Sequence, residues 1–190
     1  MTNRQLQAIE TKNRIYQAAI KLMEQQGFQD MKIEEVCKLA GVSVGSFYNY
    51  FKSKNEILME IYKRADHYFE SVVAQDLTED RTADKIITYF VHYAAYNEMT
   101  GLETVKQLFH PSNKLFVSKG RFMQALLMQV IKEGQEKGEI STELSPEDMT
   151  EFFFIAARGI SYDWCSREGA YDQKAYVKDY FSRLIRLFVL

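Results

Sequence analysis

A chain of 190 residues with 46% hydrophobic content can bury a substantial core and is too apolar for wholesale disorder. A net charge of −2 excludes a protein that coats nucleic acid indiscriminately, and no apolar run reaches the roughly 18 residues of a membrane span. Two prolines and nine glycines favour long helices with few loops, and two cysteines, Cys37 and Cys165, are too few for a disulfide framework.

The chain starts with a polar segment, MTNRQLQAIETKNR, without the apolar core of a secretion signal, so a cytoplasmic location is expected. Within it Arg4, Lys12 and Arg14 suit a solvated helix start. Ile15, Ala18, Ala19 and Leu22 mark an amphipathic helix that Gly27 stops. Ile33, Val36, Cys37 and Ala40 then form the apolar stripe of a short second helix, with Gly41 at its end. Ser43 is a good N-cap for a third helix, and Phe47 and Phe51, four residues apart, give it an inner face. Its outer face holds Gly45, Ser46, Tyr48, Asn49 and Tyr50. Small residues at the N-terminal end allow close backbone approach, and the hydroxyls and amide beyond can bond phosphates and base edges. This matches a helix-turn-helix over about 32–51, whose second helix enters a major groove. A helical hairpin in an all-α core fits the periodicity as well.

Ser53 and Glu56 form a capping-box pattern for the next helix. Lys54 in its first turn opposes the helix dipole, which a nearby phosphate would explain. Ile57, Leu58, Ile61, Tyr62, Ala65, Tyr68, Phe69, Val72 and Val73 continue that helix. After the polar break at 76–82, Ile86, Phe90, Tyr93 and Asn97 line a helix that Thr100-Gly101 closes. A short helix is expected over 102–109, then a loop or short helix to Lys119. Phe122, Met123, Leu126, Leu127, Val130 and Ile131 predict a further helix. Ser145-Pro146-Glu147-Asp148 is a strong start for a helix to about Cys165. The last, with Tyr176, Val177, Tyr180, Phe181, Leu184, Ile185 and Phe188, is expected over 172–189. Residues 1–55 carry eight Lys/Arg against five Asp/Glu and the rest sixteen against twenty-one, a mildly basic head on an acidic body.

The run Phe28–Leu58, FQDMKIEEVCKLAGVSVGSFYNYFKSKNEIL, resembles the DNA-binding domain of the TetR family of bacterial transcriptional regulators. The shared marks are Gly27-Phe28, Ile33, Val36, Ala40-Gly41-Val42-Ser43, Gly45-Ser46-Phe47-Tyr48, Tyr50-Phe51 and Lys54. Lys32 and Val44 depart from the residues common there. Lys32 can still meet a phosphate as a point charge, and Val44 can touch a thymine methyl. The resemblance implies an all-α chain with a DNA-binding domain at 9–69 and a helical effector-binding and dimerisation domain at 70–190. The DNA-facing set is Lys32, Ser43, Val44, Gly45, Ser46, Tyr48, Asn49, Tyr50 and Lys54. In it Tyr48 and Lys54 hold phosphates, and Asn49 and Tyr50 contact bases.

Aromatic residues crowd the second domain. The resemblance implies a small-molecule pocket among helices at 82–100, 102–117, 121–134 and 146–165, lined by Tyr93, Tyr96, Phe109, His110, Phe122 and Trp164. His92, Asn97, His110 and Asp163 would supply polar groups. His67, His92 and His110 lack metal-ligand spacing, and no phosphate-binding glycine loop or nucleophile motif appears, so no metal, cofactor or enzyme activity is expected. The expected function is a sequence-specific regulator, a repressor released from its operator by an apolar or aromatic ligand. It would bind a palindromic DNA operator as a homodimer through the helices at 146–165 and 172–189. The alternatives are a TetR-like protein acting through protein partners, and a helical enzyme.

Overall fold

The computed structural model describes residues 2–109 and 120–190. The described elements are helices, apart from one isolated antiparallel bridge between Ile140 and Val189. They form two compact units. One comprises the described residues of Met1–Lys63 and Thr100–Leu115, the other those of Arg64–Met99 and Phe116–Leu190.

In the first unit, helix α1 spans Asn3–Asp30. The polar N-terminal segment is therefore helical. Thr2 caps it, its hydroxyl accepting from the Gln5 N–H while the Gln5 side chain accepts from the Thr2 N–H. Gly27 does not end the run but breaks it: at φ 79° and ψ 163° it leaves helical geometry, and a last turn carries Phe28 inward. Helix α2 is Ile33–Ala40, α3 is Val44–Tyr50 and α7 is Leu102–Leu108; α4, Asn55–Tyr68, begins in this unit and from Arg64 onward belongs to the other. Ile15, Ala19, Met23, Val36, Phe47, Phe51 and Ile57 are fully buried, so each helix gives its apolar stripe to one core. Val105 and Leu108 of α7 are buried too.

Helix α4 passes into a π-helical turn, Phe69–Val73, and then a short helix α5, Ala74–Asp76. The expected single long helix is thus interrupted near its end. Helices α6 (Thr82–Thr100), α8 (Phe122–Glu136), α9 (Pro146–Ser166) and α10 (Gln173–Leu184) follow. The last helix is shorter than periodicity predicts. A 3-10 turn at Ile185–Leu187 follows it, and the chain then pairs with the segment after α8, the Ser141 N–H donating to the Phe188 carbonyl at 2.7 Å. No helix among the described residues is long and apolar enough to cross a membrane.

The core of the second unit is dense in rings. Phe90 stacks on Phe181 at 4.1 Å between centroids and meets Tyr89, Tyr93, Phe153 and Phe154 edge-on or tilted. Several polar groups inside it are paired, although the buried Gln173 Oε1 has no hydrogen-bond partner among the described residues. Ser161 accepts from the Asn97 and Gln173 amides at 2.9 and 3.0 Å. The Tyr68 hydroxyl bonds His92 Nδ1 at 2.8 Å, and His92 Nε2 bonds Asp76 at 2.7 Å.

Candidate nucleic-acid interface

The turn between α2 and α3 is built from local signals. Gly41 adopts φ 65° and ψ 42°, a left-handed conformation that costs glycine least. The Val42 N–H then reaches back five residues to the Cys37 carbonyl at 3.0 Å. Ser43 caps α3, its hydroxyl oxygen accepting from the Ser46 N–H at 3.1 Å. The same hydroxyl keeps its proton free to donate outward. Phe47 packs edge-on against Tyr48 and at 5.7 Å from Phe51, and this anchors the inner face.

The outer face is open. Val44, Gly45, Tyr48 and Asn49 are exposed, and Ser46 and Tyr50 are half-buried. Val44 and Tyr48 lie four residues apart, as do Gly45 and Asn49, so the face carries two parallel ridges. The first intrahelical bond runs from the Phe47 N–H to Ser43, so the N–H groups of Val44 and Gly45 precede it, as donors suited to an anion. Lys32 is exposed at the start of α2, where its N–H donates to the Glu35 carboxylate. Hydrogen bonds from Gln26 and then from Lys32 hold the Glu35 carboxyl below its usual range.

Lys54 departs from expectation. Its ammonium donates to the carbonyls of Phe28 (2.6 Å), Gln29 (2.9 Å) and Met31 (3.0 Å) and lies 4.6 Å from the Phe28 ring centroid. All three donors are used, so the cation terminates α1. The unfavourable dipole of α4 is offset by the negative end of another helix. The capping box has also shifted: Glu56 accepts from the Lys52 N–H at 2.7 Å, and α4 opens at Asn55. Lys12 pairs with the buried Glu60 at 2.6 Å.

Two members of the expected ligand set, Tyr93 and Trp164, are buried. Tyr93 is 7% exposed among Phe90 and Phe154, and burial pushes its hydroxyl pKa up to about 12. Trp164 is 7% exposed and donates its indole N–H to the Tyr171 carbonyl at 3.1 Å. Tyr96 lies 5.3 Å from the Tyr68 ring. Phe109 ends α7 in the first unit, and His110 lies outside the described residues. His92, Asn97 and Asp163 are engaged with Asp76, Ser161 and Arg167. Phe122, 38% exposed, borders an opening. That cleft of about 460 Å³ lies between the starts of α8 and α9, with Phe122, Ala125 and Met128 on one side and Thr150 and Glu151 on the other. Phe122, Ala125 and Met128 recur at i, i+3 and i+6 on a helix face that the core does not use.

Comparison with known proteins bears on both units. Residues 15–61 match the family model of bacterial regulatory proteins, tetR family. The fatty acid metabolism regulator protein of Bacillus subtilis (strain 168) is 25% identical over 167 residues, 83% of this chain and 85% of that protein. The HTH-type transcriptional regulator SrpR of Pseudomonas putida is 24% identical over 163 residues, 83% of this chain and 76% of that protein. Among solved structures, the transcriptional regulator FadR from Bacillus subtilis in complex with stearoyl-CoA superposes with a TM-score of 0.77 at 20% identity. The match covers 90% of this chain and 96% of that one, a likeness of fold.

Proposed function

This chain belongs to the TetR family of bacterial regulatory proteins, and on that premise we propose a homodimeric repressor that leaves a palindromic operator when an effector binds. It is a DNA-binding transcriptional regulator, and the reading is of a binding protein, not an enzyme, acting in the cytoplasm. The observation that carries it is the open face of α3, a short capped helix whose inner side is anchored and whose outer side holds Val44, Gly45, Tyr48 and Asn49. Gly45 and Ser46 bring the backbone close to the duplex. Ser43, Tyr48 and Lys32 meet phosphates. Val44, Asn49 and Tyr50 read base edges. Residues 9–69 do this work, and 70–190 hold the effector and the partner.

Dimerisation is supported by a stripe that the chain leaves bare. Phe152, Ile155, Gly159 and Tyr162 share one face of α9, with Ile155 59% and Tyr162 63% exposed. Tyr176 and Tyr180 are exposed on α10. Apolar faces of this kind mark interaction surfaces. A Cβ at Gly159 would meet nothing within 4 Å, so no contact inside the chain requires a glycine there. Close approach of a second α9 would.

The effector is read as a molecule with a sizeable apolar part, seated at the cleft by Phe122, Ala125 and Met128. Stearoyl-CoA, bound by the FadR relative, is the first compound to try. For release, the effector must bind the form with wrong half-site spacing better than the DNA-competent form, whose recognition helices sit about 34–36 Å apart. The test is selection of random duplexes by purified protein, then mobility shift at two salt concentrations and sedimentation. A palindrome retained at high salt, bound by a species of twice 22.2 kDa, is expected. Weak sequence-blind binding that vanishes with salt would overturn the reading.

A further inference from the structure

Helix α7 lacks a cap of its own. Its N-cap position is Gly101, which has no side chain, and the first intrahelical bond, from the Val105 N–H to the Gly101 carbonyl, leaves the earlier N–H groups without helical acceptors. Glu24 of α1, 77 to 80 residues earlier in the chain, fills that place. Its carboxylate accepts from the Glu103 N–H at 3.2 Å, the Thr104 N–H at 2.7 Å and the Thr104 hydroxyl at 2.6 Å. Thr104 is fully buried. Gly101 is shaped to admit the carboxylate: at φ 97°, a Cβ there would lie 2.4 Å from the Glu24 carboxyl carbon. A negative group on the N–H groups of a helix start is also favoured by the helix dipole.

The connectivity gives this cap a consequence. Gly101 is the single residue between α6 and α7, and all of α6 except Thr100 belongs to the second unit. Helix α7 therefore hangs from a helix of one unit while it packs in the other. We propose that Glu24 is a latch: its bonds to α7 make the DNA-binding unit respond to displacement at the end of α6, and DNA binding in turn tightens α7 onto α1. Glu24 touches no DNA in this scheme and acts as a positioning residue. The inference rests on the DNA-binding reading above. Linkage makes the coupling reciprocal, so it can be measured with DNA alone.

The experiment is amide hydrogen exchange of Val105–Leu108 in the full chain, with and without a selected duplex, in wild type, Glu24→Ala, Glu24→Gln and Gly101→Ala. In wild type the duplex should slow exchange by about tenfold, within the usual span of such couplings. Glu24→Ala removes the acceptor, and Gly101→Ala pushes it away from the other side. Both should lose the slowing and bind the duplex more weakly by a similar factor. Glu24→Gln, which keeps one acceptor oxygen, should restore part of each. A duplex that binds wild type without slowing exchange overturns the latch alone, as does slowing that persists in both Glu24→Ala and Gly101→Ala. If wild type binds no duplex, the DNA-binding reading falls and the latch with it. The wild-type comparison decides the matter even if one variant does not fold.

Discussion

The two units differ in how their candidate residues reach solvent. In the first, a seven-residue helix turns four side-chain positions outward and one ring, Phe47, fully inward. In the second, the aromatic residues that sequence density points to are mostly in the core, and the opening is lined by a quieter set beside them. A recognition helix is specified by neighbours in sequence: a left-handed glycine, a serine cap, two phenylalanines four apart. A cleft between helices is specified by what remains after distant helices have packed. The same residue types thus read as function in one unit and as structure in the other.

The largest expected effects break this comparison at its anchors. Phe47→Ala should cost about 3–5 kcal/mol, the usual range for emptying a buried aromatic site, and abolish DNA binding by melting the head. Tyr93→Ala should cost a similar amount in the second unit. Thermal denaturation checks both. A Tyr93→Ala protein with unchanged stability but no effector response would return Tyr93 to the pocket.

Lys54→Ala sharpens the contrast inside the head. Loss of a charged donor to three carbonyls should cost about 2–3 kcal/mol of stability. The salt dependence of DNA binding should stay as in wild type. A fall of about one in the slope of log affinity against log salt would mean that Lys54 holds a phosphate after all.

Asn49→Ala should cost about 1–3 kcal/mol at one base pair and relax preference there. Tyr48→Ala should weaken binding to every duplex alike. Selection from random duplexes separates the two, and matching effects on all sites would refute the division of labour. Smallest in stability is Phe122→Ala, a half-open position at the cleft rim. It should change stability little, about 0.5 kcal/mol or less, yet weaken the melting shift produced by stearoyl-CoA or another apolar effector. Gly159→Ala should leave the folded chain as stable or more stable, since helix propensity favours alanine by about 1 kcal/mol. It should nonetheless promote dissociation in sedimentation if α9 crosses a second α9 there.

By itself the sequence determined the all-α class, the order of the helices and the recognition helix with its exposed face. Each rests on residues within a few positions of one another: Gly41 and Ser43 at the turn, Ser145-Pro146 opening α9, periodic apolar stripes along every helix. Tertiary structure alone decided the rest. Lys54 reads in sequence as a phosphate ligand, and its bonds to the end of α1 come from residues 23 to 26 positions away. Glu24 has no motif at all, because its partners lie about eighty residues along the chain. Tyr93 shows its place only when Phe154 of another helix meets its ring, and Trp164 only when the Tyr171 carbonyl accepts its indole N–H. Local backbone preference and short-range capping are written in neighbouring residues, whereas desolvation and long-range hydrogen bonding depend on which surfaces the whole chain buries.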